Sequence, residues 1–419
     1  MRSILFRNSF VLLLARIGTQ IGTAVFTIVL ARRLGITGFG EYALIAALIY
    51  VANSLTTFGT DMALIREIAA QNDLSSLPAA LIIQLALSVL LIAAIWFWGD
   101  LIPNQSLETI LALKIYILSL IPLAFFTVFT TALRGKQRMG AYAVLNLMAA
   151  GLQASLILLP GITLLKTSTF LLAIQIVVAV VAGIVCCVVI SNFWHAWHPL
   201  RLNSYRLLKL CAPLALLTLF GMVYQRLGIY LLSTIAGATA TGLFSAAARI
   251  VEASKMIHLG IFAALYPAMS QAQTDALNKS LWNVTFKWSW RILMAGAVTI
   301  ALILYLMSTI LVRALYGGQF IGSAAILQIL GWAFIPFTVN SYLTLSCLAS
   351  NQEWVVGRAL AASLLGLLIL NLWWIPLYGP QGSAWASLAA ECIQSVIFLA
   401  GRKPVLQLNG APHKFSELS

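Results

Sequence analysis

The chain has 419 residues, of which 61% are hydrophobic and only 9% are charged. Soluble domains average about 25% charged residues, so this composition excludes a soluble globular protein and indicates a polytopic membrane protein. The formal net charge of +14 does not indicate nucleic-acid binding, because the basic residues follow the connections between apolar runs instead of forming one patch.

Apolar runs recur along the whole chain. A helix needs about 20 apolar residues to cross the hydrocarbon core, and by this rule the sequence predicts about twelve transmembrane helices. The predicted spans are Ser9–Leu30, Tyr42–Thr60, Pro78–Trp98, Leu111–Leu133, Ala141–Leu159, Thr169–Ile190, Leu207–Ile235, Leu243–Leu265, Trp290–Val312, Ala324–Leu348, Val355–Ile375 and Ser383–Leu399. The expected fold class is therefore an all-α polytopic membrane protein.

A segment between the first two spans recurs in the second half at an offset of 202 residues. The matched pairs are Gly35 with Gly237, Thr37 with Thr239, Gly40 with Gly242, and Tyr42 with Phe244. Glycine tolerates the positive φ of a tight turn between two helices. The repeat predicts two parallel lobes of six helices, residues 1–200 and 201–401, followed by a cytoplasmic tail at 402–419.

Lysine and arginine are distributed unevenly between the two sides of the predicted membrane. With the N-terminus placed inside, 16 of the 25 basic residues fall in inner segments and 5 in outer segments. This asymmetry satisfies the positive-inside rule with both termini cytoplasmic. Arg32 and Arg33 go against the rule.

Ionisable groups inside a span cost about 2.5–3.5 kcal/mol on insertion scales, so they usually face protein or water. Four basic residues lie within predicted spans: Arg16, Arg226, Arg249 and Lys255. The polar groups on the same or facing spans are Gln20, Thr23, Thr27, Asn53, Asp61, Gln225, Glu252 and Glu391. These polar stripes predict a wet cavity between the lobes, with cationic side chains directed at an anionic ligand.

A purely structural interpretation stays open for the same residues. Arg249 pairs with Glu252 in that interpretation, and Glu391 is the counter-charge of an arginine. Arg16 either pairs with Asp61 or extends to the inner membrane interface. The sequence shows no nucleotide loop, nucleophile motif or cluster of metal ligands. It therefore predicts neither an enzyme nor a cofactor or metal site.

The repeated hairpin also resembles a known family. The motif LARRLGITGFGEYA at 30–43, with FGT at 58–60 and IREIA at 65–69, resembles the start of Wzx-type O-antigen and polysaccharide flippases. These flippases belong to the multidrug/oligosaccharidyl-lipid/polysaccharide (MOP) exporter superfamily. The resemblance implies a MATE-like, V-shaped pair of lobes around a central cavity.

The same resemblance implies a function in the bacterial inner membrane, in O-antigen or lipopolysaccharide biosynthesis. A monomer would move an undecaprenyl-pyrophosphate-linked oligosaccharide from the cytoplasmic to the periplasmic leaflet, with a polymerase of the same pathway as a partner. Related flippases use cationic cavity residues on the pyrophosphate, a role that Arg16, Arg226, Arg249 and Lys255 suit by position.

Three other functions compete with the flippase. A multidrug antiporter of the same superfamily moves organic cations and favours buried acids, whereas here the four bases outnumber Asp61, Glu252 and Glu391. A membrane polymerase or ligase needs a long outer loop, which the predicted topology lacks. A scaffold without transport does not explain the polar stripes.

Overall fold

The structure is a computed structural model that describes residues 2–71, 74–158, 174, 176–185, 187, 204–274, 279–349 and 352–401. Almost all of these residues are helical, which confirms the predicted all-α class. The helices are α1 (Arg2–Thr57), α2 (Thr60–Gln71), α3 (Leu77–Trp98), α4 (Leu107–Tyr116), α5 (Leu120–Gly135), α6 (Met139–Leu158), α7 (Ile176–Val185), α8 (Ser204–Thr274), α9 (Lys279–Leu306), α10 (Ser308–Tyr316), α11 (Ser323–Ala349) and α12 (Glu353–Gly401).

Six described segments are long and apolar enough to cross a membrane. They are Ile17–Thr57, Leu77–Leu101, Leu107–Gly135, Thr218–Met256, Ser323–Leu348 and Trp354–Gly401. A seventh is added if α9 and α10 together form one span. The chain is thus a multi-pass membrane protein, while the count of twelve crossings and the division into two lobes stay predictions.

Single glycines break three of the long helices. Gly35 in α1 has φ 69° and ψ −175°, and Gly237 in α8 has nearly the same geometry, with φ 81° and ψ −179°. Gly379 breaks α12 at φ 56°. The sequence placed a longer connection between the first two spans, but the chain is helical on both sides of one residue. A positive φ suits glycine, so the reversal needs no separate loop.

Two other predicted spans are interrupted. The predicted span Trp290–Val312 is bent, because α9 and α10 meet at an angle of 70° beside Met307. The span Leu111–Leu133 divides into α4, a 3₁₀ turn at Ile117–Ser119 and α5. Pro122 lies in the first turn of α5, and a proline ring excludes a regular α-helix across the preceding turn.

The largest apolar core contains residues from both halves of the chain. Phe39, Ala43 and Ala47 of α1 pack with Leu232 and Phe244 of α8 in one buried cluster. Separate clusters lie within the first half, around Ile45 and Leu120, and within the second half, around Leu343 and Phe398. Each half therefore has its own core, and a shared core joins them.

We call the end of the molecule at Gly35 and Gly237 the hairpin end. The Thr37 and Thr239 hydroxyl oxygens lie 3.2 Å apart there, at the offset of 202 residues. A Cβ on Gly40 would overlap with the carbonyl oxygen of Ala238, and a Cβ on Gly242 would overlap with that of Ile36. At the offset of 202 residues, the contact of Gly40 with Ala238 corresponds to the contact of Gly242 with Ile36. The two turns are therefore related by a local two-fold axis.

Further contacts between the halves lie at the hairpin end. Arg32 donates hydrogen bonds to the carbonyl oxygens of Leu315, at 2.6 Å, and Ala314 in the last turn of α10. The Asn104 amide donates to the Thr234 carbonyl at 2.6 Å, and the Gln105 amide donates to the Ser233 carbonyl at 3.2 Å. These contacts join the two halves at this end.

Candidate functional site

A cavity of about 380 Å³ lies between α1 and the helices α8, α9 and α10. Its polar wall consists of Gln20, Thr23 and Thr27 from α1 and of Arg249, Glu252 and Ser254 from α8. The opposite wall is apolar and includes Leu304, Leu315 and Tyr316. Ligand sites commonly enclose roughly 300–1,000 Å³ and place a few polar groups on an apolar surface, as this cavity does.

The first helix presents its predicted polar stripe to this cavity. Close packing sets its position: a Cβ on Gly18 would lie 2.7 Å from Leu147 of α6, and one on Gly22 would lie 3.4 Å from Ala150. The Thr23 and Thr27 hydroxyls donate to carbonyl oxygens of their own helix at 2.8 and 2.7 Å. The two threonines are therefore satisfied without a ligand.

Glu252 lies on the part of the polar wall that α8 contributes, and it binds two arginines. Its Oε1 accepts from Arg226 Nη1 at 3.0 Å, and its Oε2 accepts from Arg249 Nη1 at 2.9 Å. Residues 249 and 252 are three apart on α8 and so share one helix face, while Arg226 lies on the arm of α8 that precedes Gly237. The break at Gly237 brings the two arginines to one carboxylate.

The first half of the chain contributes an aromatic face to the same cluster. The Arg226 guanidinium carbon lies 4.8 Å from the centroid of the Tyr50 ring, within the range of a cation–π interaction. Tyr50 itself is 38% exposed. Arg226 is thus held between a carboxylate from its own half and an aromatic ring from the other half.

The depth of the cluster follows from helix geometry. At about 1.5 Å per residue, Arg226 and Glu252 lie roughly 16 and 22 Å along their helix arms from Gly237. The hydrocarbon core of a bilayer is about 30 Å thick. Arg226 therefore lies near the middle of its arm of the candidate span Thr218–Met256, and Glu252 lies near the far end of the other arm.

Lys255 and Glu391 belong to a neighbouring cluster. The Lys255 ammonium lies 4.0 Å from the centroid of the Phe337 ring and interacts electrostatically with both Glu252 and Glu391. Glu391 is only 7% exposed and accepts a hydrogen bond from the Asn340 amide at 2.7 Å. The expectation of an arginine beside Glu391 is wrong, because its described partners are neutral groups and its nearby cation is a lysine.

Three of the ten predicted site residues line the cavity: Gln20, Arg249 and Glu252. Arg226 does not line the cavity itself but binds Glu252, which does. Lys255 lies about one helical turn after Glu252 on α8. Asn53, Asp61, Gln225 and Glu391 are not among the lining residues. The backbone of Arg16 belongs to α1, but its side chain lies outside the described part of the chain, as does any pairing with Asp61.

Three residues at these clusters were not predicted: Tyr50, Phe337 and Asn340. Tyr50 lies three residues before Asn53, so it shares a helix face with a polar residue that the sequence already singled out. Phe337 and Asn340 follow Pro336 on α11, and nothing in their spacing singles them out. Among the described residues no group of three His, Cys, Asp or Glu side chains is arranged to hold a metal ion.

Comparison with solved structures identifies the fold. The chain superposes on the lipid II flippase MurJ in an inward closed conformation with a TM-score of 0.74, at 15% identity over 94% of this chain and 87% of that chain. It superposes on an inward-facing multidrug resistance MATE family transporter of the MOP superfamily with a TM-score of 0.71, at 14% identity over 91% and 93%. These matches confirm the MATE-like fold.

A third match is the MATE multidrug transporter DinF-BH, in a complex with a bound ligand. It has a TM-score of 0.70 and 16% identity, over 96% of this chain and 95% of that chain. No curated protein matches the chain. At such low identities the solved structures establish the fold alone.

The sequence itself establishes the family. The family model described as "Polysaccharide biosynthesis protein" matches residues 5–273, which include both glycine hairpins, the polar stripe of α1 and all four basic residues of the predicted site. The matched region covers more than half of the chain. The hairpin motif agrees with this match, and the chain belongs to the polysaccharide biosynthesis protein family.

Proposed function

We propose that this protein is a flippase that moves an undecaprenyl-pyrophosphate-linked oligosaccharide, an O-antigen or related repeat unit, across the bacterial inner membrane. The observation that carries the proposal is the convergence of Arg226 and Arg249 on one carboxylate at the wall of a cavity between α1 and α8. A pyrophosphate must leave water to cross the bilayer. Guanidinium groups offer it paired hydrogen bonds and compensating charge.

The proposed transport cycle uses two six-helix lobes in a twelve-helix chain. The hairpin end is taken as periplasmic and both termini as cytoplasmic, in accord with the distribution of basic residues. The contacts between the halves at the hairpin end suit a state closed toward the periplasm. Rocking of the lobes would expose the cavity to each side in turn, with the lipid tail left in the bilayer. The protein acts as a monomer and delivers its product to a polymerase.

The second candidate is an organic-cation antiporter, which the match to the multidrug transporter DinF-BH favours. A cation would require a carboxylate free to receive it. Glu252 is occupied by two arginines, and Glu391 is buried within the second half. An anionic substrate therefore suits the described site better.

A deletion strain tests the proposal. We expect lipid-linked oligosaccharide to accumulate on the cytoplasmic leaflet, and surface polysaccharide to be lost. Arg226→Ala and Arg249→Ala should fail to restore the polymer while the protein stays in the membrane, and Arg249→Lys should restore part of it because the paired fork is lost.

The exposed Arg313 on α10 provides the matched control, and Arg313→Ala should restore the polymer fully. Normal polymer from both cavity variants would contradict the proposal. Unchanged lipid pools together with altered dye efflux would favour the antiporter instead.

A further inference from the structure

Glu252 has an unusual position for a residue of an anion-binding site, because its own charge is negative. It occupies the point at which the two guanidinium groups meet, with one carboxylate oxygen on each, at 3.0 and 2.9 Å. A phosphate that bound both arginines would have to occupy the position of the Glu252 carboxylate. The carboxylate thus holds the position that a ligand phosphate would take.

The formal charges of the described side chains around this site do not balance. Arg226, Arg249 and Lys255 carry three formal positive charges, against one negative charge each on Glu252 and Glu391. The cluster is also not sealed: the Arg226, Arg249 and Glu252 side chains are 12%, 27% and 33% exposed. A second anion therefore has both an electrostatic reason to enter and a route to the site.

Arg226 keeps an unused donor in the present arrangement. Its Nε–H is buried and has no hydrogen-bond partner among the described residues. A buried donor without an acceptor is energetically unfavourable. A phosphate has more acceptor oxygens than a carboxylate, and one that displaced Glu252 could bind the Nε–H and Nη–H groups together.

We infer that Glu252 is an internal counter-ion that the phosphate of the transported lipid displaces on binding and that returns to the arginines on release. This inference rests on the proposed function, and it assigns Glu252 to the control of release. In the absence of ligand the carboxylate keeps the two arginines together and compensates their charge. Its return competes with the ligand and so prevents the cationic site from retaining a dianion.

A structural role for Glu252 makes the opposite prediction for ligand binding. If the carboxylate only holds the arginines in place, its removal disorders them, and the affinity for an anion falls. If the carboxylate competes with the ligand, its removal frees the arginines, and the affinity rises. The sign of the change in affinity therefore separates the two roles.

The test is the binding of inorganic pyrophosphate to the purified full-length protein in detergent, measured by titration calorimetry. We expect Glu252→Gln to bind pyrophosphate about tenfold more tightly than the wild type, which corresponds to about 1.4 kcal/mol. In cells the same variant should make less surface polysaccharide, because slower release limits turnover. Weaker or unchanged binding by Glu252→Gln would overturn the inference.

Two further variants complete the test. Glu67→Gln changes a carboxylate that accepts from the Ser76 hydroxyl outside the cavity, and it should bind pyrophosphate as the wild type does. Glu252→Asp keeps the charge but is one methylene shorter and cannot bridge both arginines. Its affinity should lie between those of the wild type and Glu252→Gln, and it decides the question if the glutamine variant does not fold.

The inference and the proposed function fail in different ways. Suppose that Glu252→Gln binds pyrophosphate more tightly but deletion of the protein leaves surface polysaccharide intact. The counter-ion role of Glu252 would then stand, and the flippase function would be rejected. Suppose instead that deletion abolishes surface polysaccharide but Glu252→Gln binds pyrophosphate more weakly. The flippase function would then stand, and the counter-ion role of Glu252 would be rejected.

Discussion

Arg32 joins the two halves of the chain through a helix terminus. Its guanidinium donates to the carbonyl oxygens of Ala314 and Leu315, which lie in the last turn of α10 and have no partner within that helix. A cation at this position also interacts favourably with the helix dipole. The predicted topology places Arg32 outside, against the positive-inside rule, and its contact with the C-terminal end of α10 gives a cation at this position a structural role.

We expect Arg32→Ala to lower the melting temperature of the purified protein by a few degrees. The lost hydrogen bonds and dipole interaction amount to roughly 1–2 kcal/mol at this exposed position. Thermal unfolding in detergent measures the change. Arg33 is the matched control, because it is also exposed and makes no hydrogen bond or ion pair within the described ranges. Equal effects of Arg32→Ala and Arg33→Ala would contradict the assignment.

At the scale of the helix, the glycine turns decide how closely the halves approach. Gly35 and Gly237 reverse the chain within a single residue at positive φ. Gly40 and Gly242 then let each turn contact the backbone of the other. The four glycines thus have two functions, since one pair permits the turn and the other pair permits the contact between turns.

We expect Gly40→Ala and Gly242→Ala to destabilise the hairpin end to a similar extent. Each new Cβ would meet a carbonyl group of the backbone, which cannot move aside as a side chain can, and overpacking of this kind costs about 1–3 kcal/mol. The melting temperature of each purified variant measures the loss. Gly151→Ala on α6 is the control, since its Cβ meets no atom within 4 Å.

An unchanged melting temperature in Gly40→Ala would contradict the close contact. A marked fall in Gly151→Ala would show instead that any added methyl group is harmful. Because the contacts are related by the local two-fold axis, a large difference between Gly40→Ala and Gly242→Ala would also contradict the geometry described.

At the scale of the whole molecule, the described cross-half hydrogen bonds lie at the hairpin end, where Thr37 faces Thr239. The cavity lies deeper, beside Gln20 and Glu252. Any motion that opens the hairpin end must separate these two threonines.

A disulfide between the threonine positions tests whether this separation is needed. Thr37→Cys with Thr239→Cys, in a background with the five native cysteines replaced by serine, should form a disulfide, because the native hydroxyl oxygens are 3.2 Å apart. We expect the oxidised protein to lose polysaccharide export and to regain it on reduction. Each single cysteine variant is a control and should be active under both conditions. Full activity of the oxidised double variant would show that the hairpin end does not open.

The sequence allowed much of this arrangement to be predicted. The offset between Gly35 and Gly237 identified the repeat, and helical spacing identified the stripe of Gln20, Thr23 and Thr27. The position of Arg226 against Tyr50 was not predictable, because it depends on how the two hairpins pack. The bend at Met307 was also missed, since a break in helix geometry without proline or glycine leaves no compositional signal.

The repeat relates residues of the two halves, yet the charged residues of the Arg226–Glu252 cluster all lie in the second half. At the offset of 202 residues, Arg226, Arg249, Glu252 and Lys255 correspond to Ala24, Ala47, Tyr50 and Asn53. Tyr50 and Glu252, which are symmetry equivalents, both contact Arg226. In this cluster the second half thus contributes the charged groups and the first half contributes an aromatic ring. We therefore expect a bound anion to remain attached to the second half when the two halves move apart.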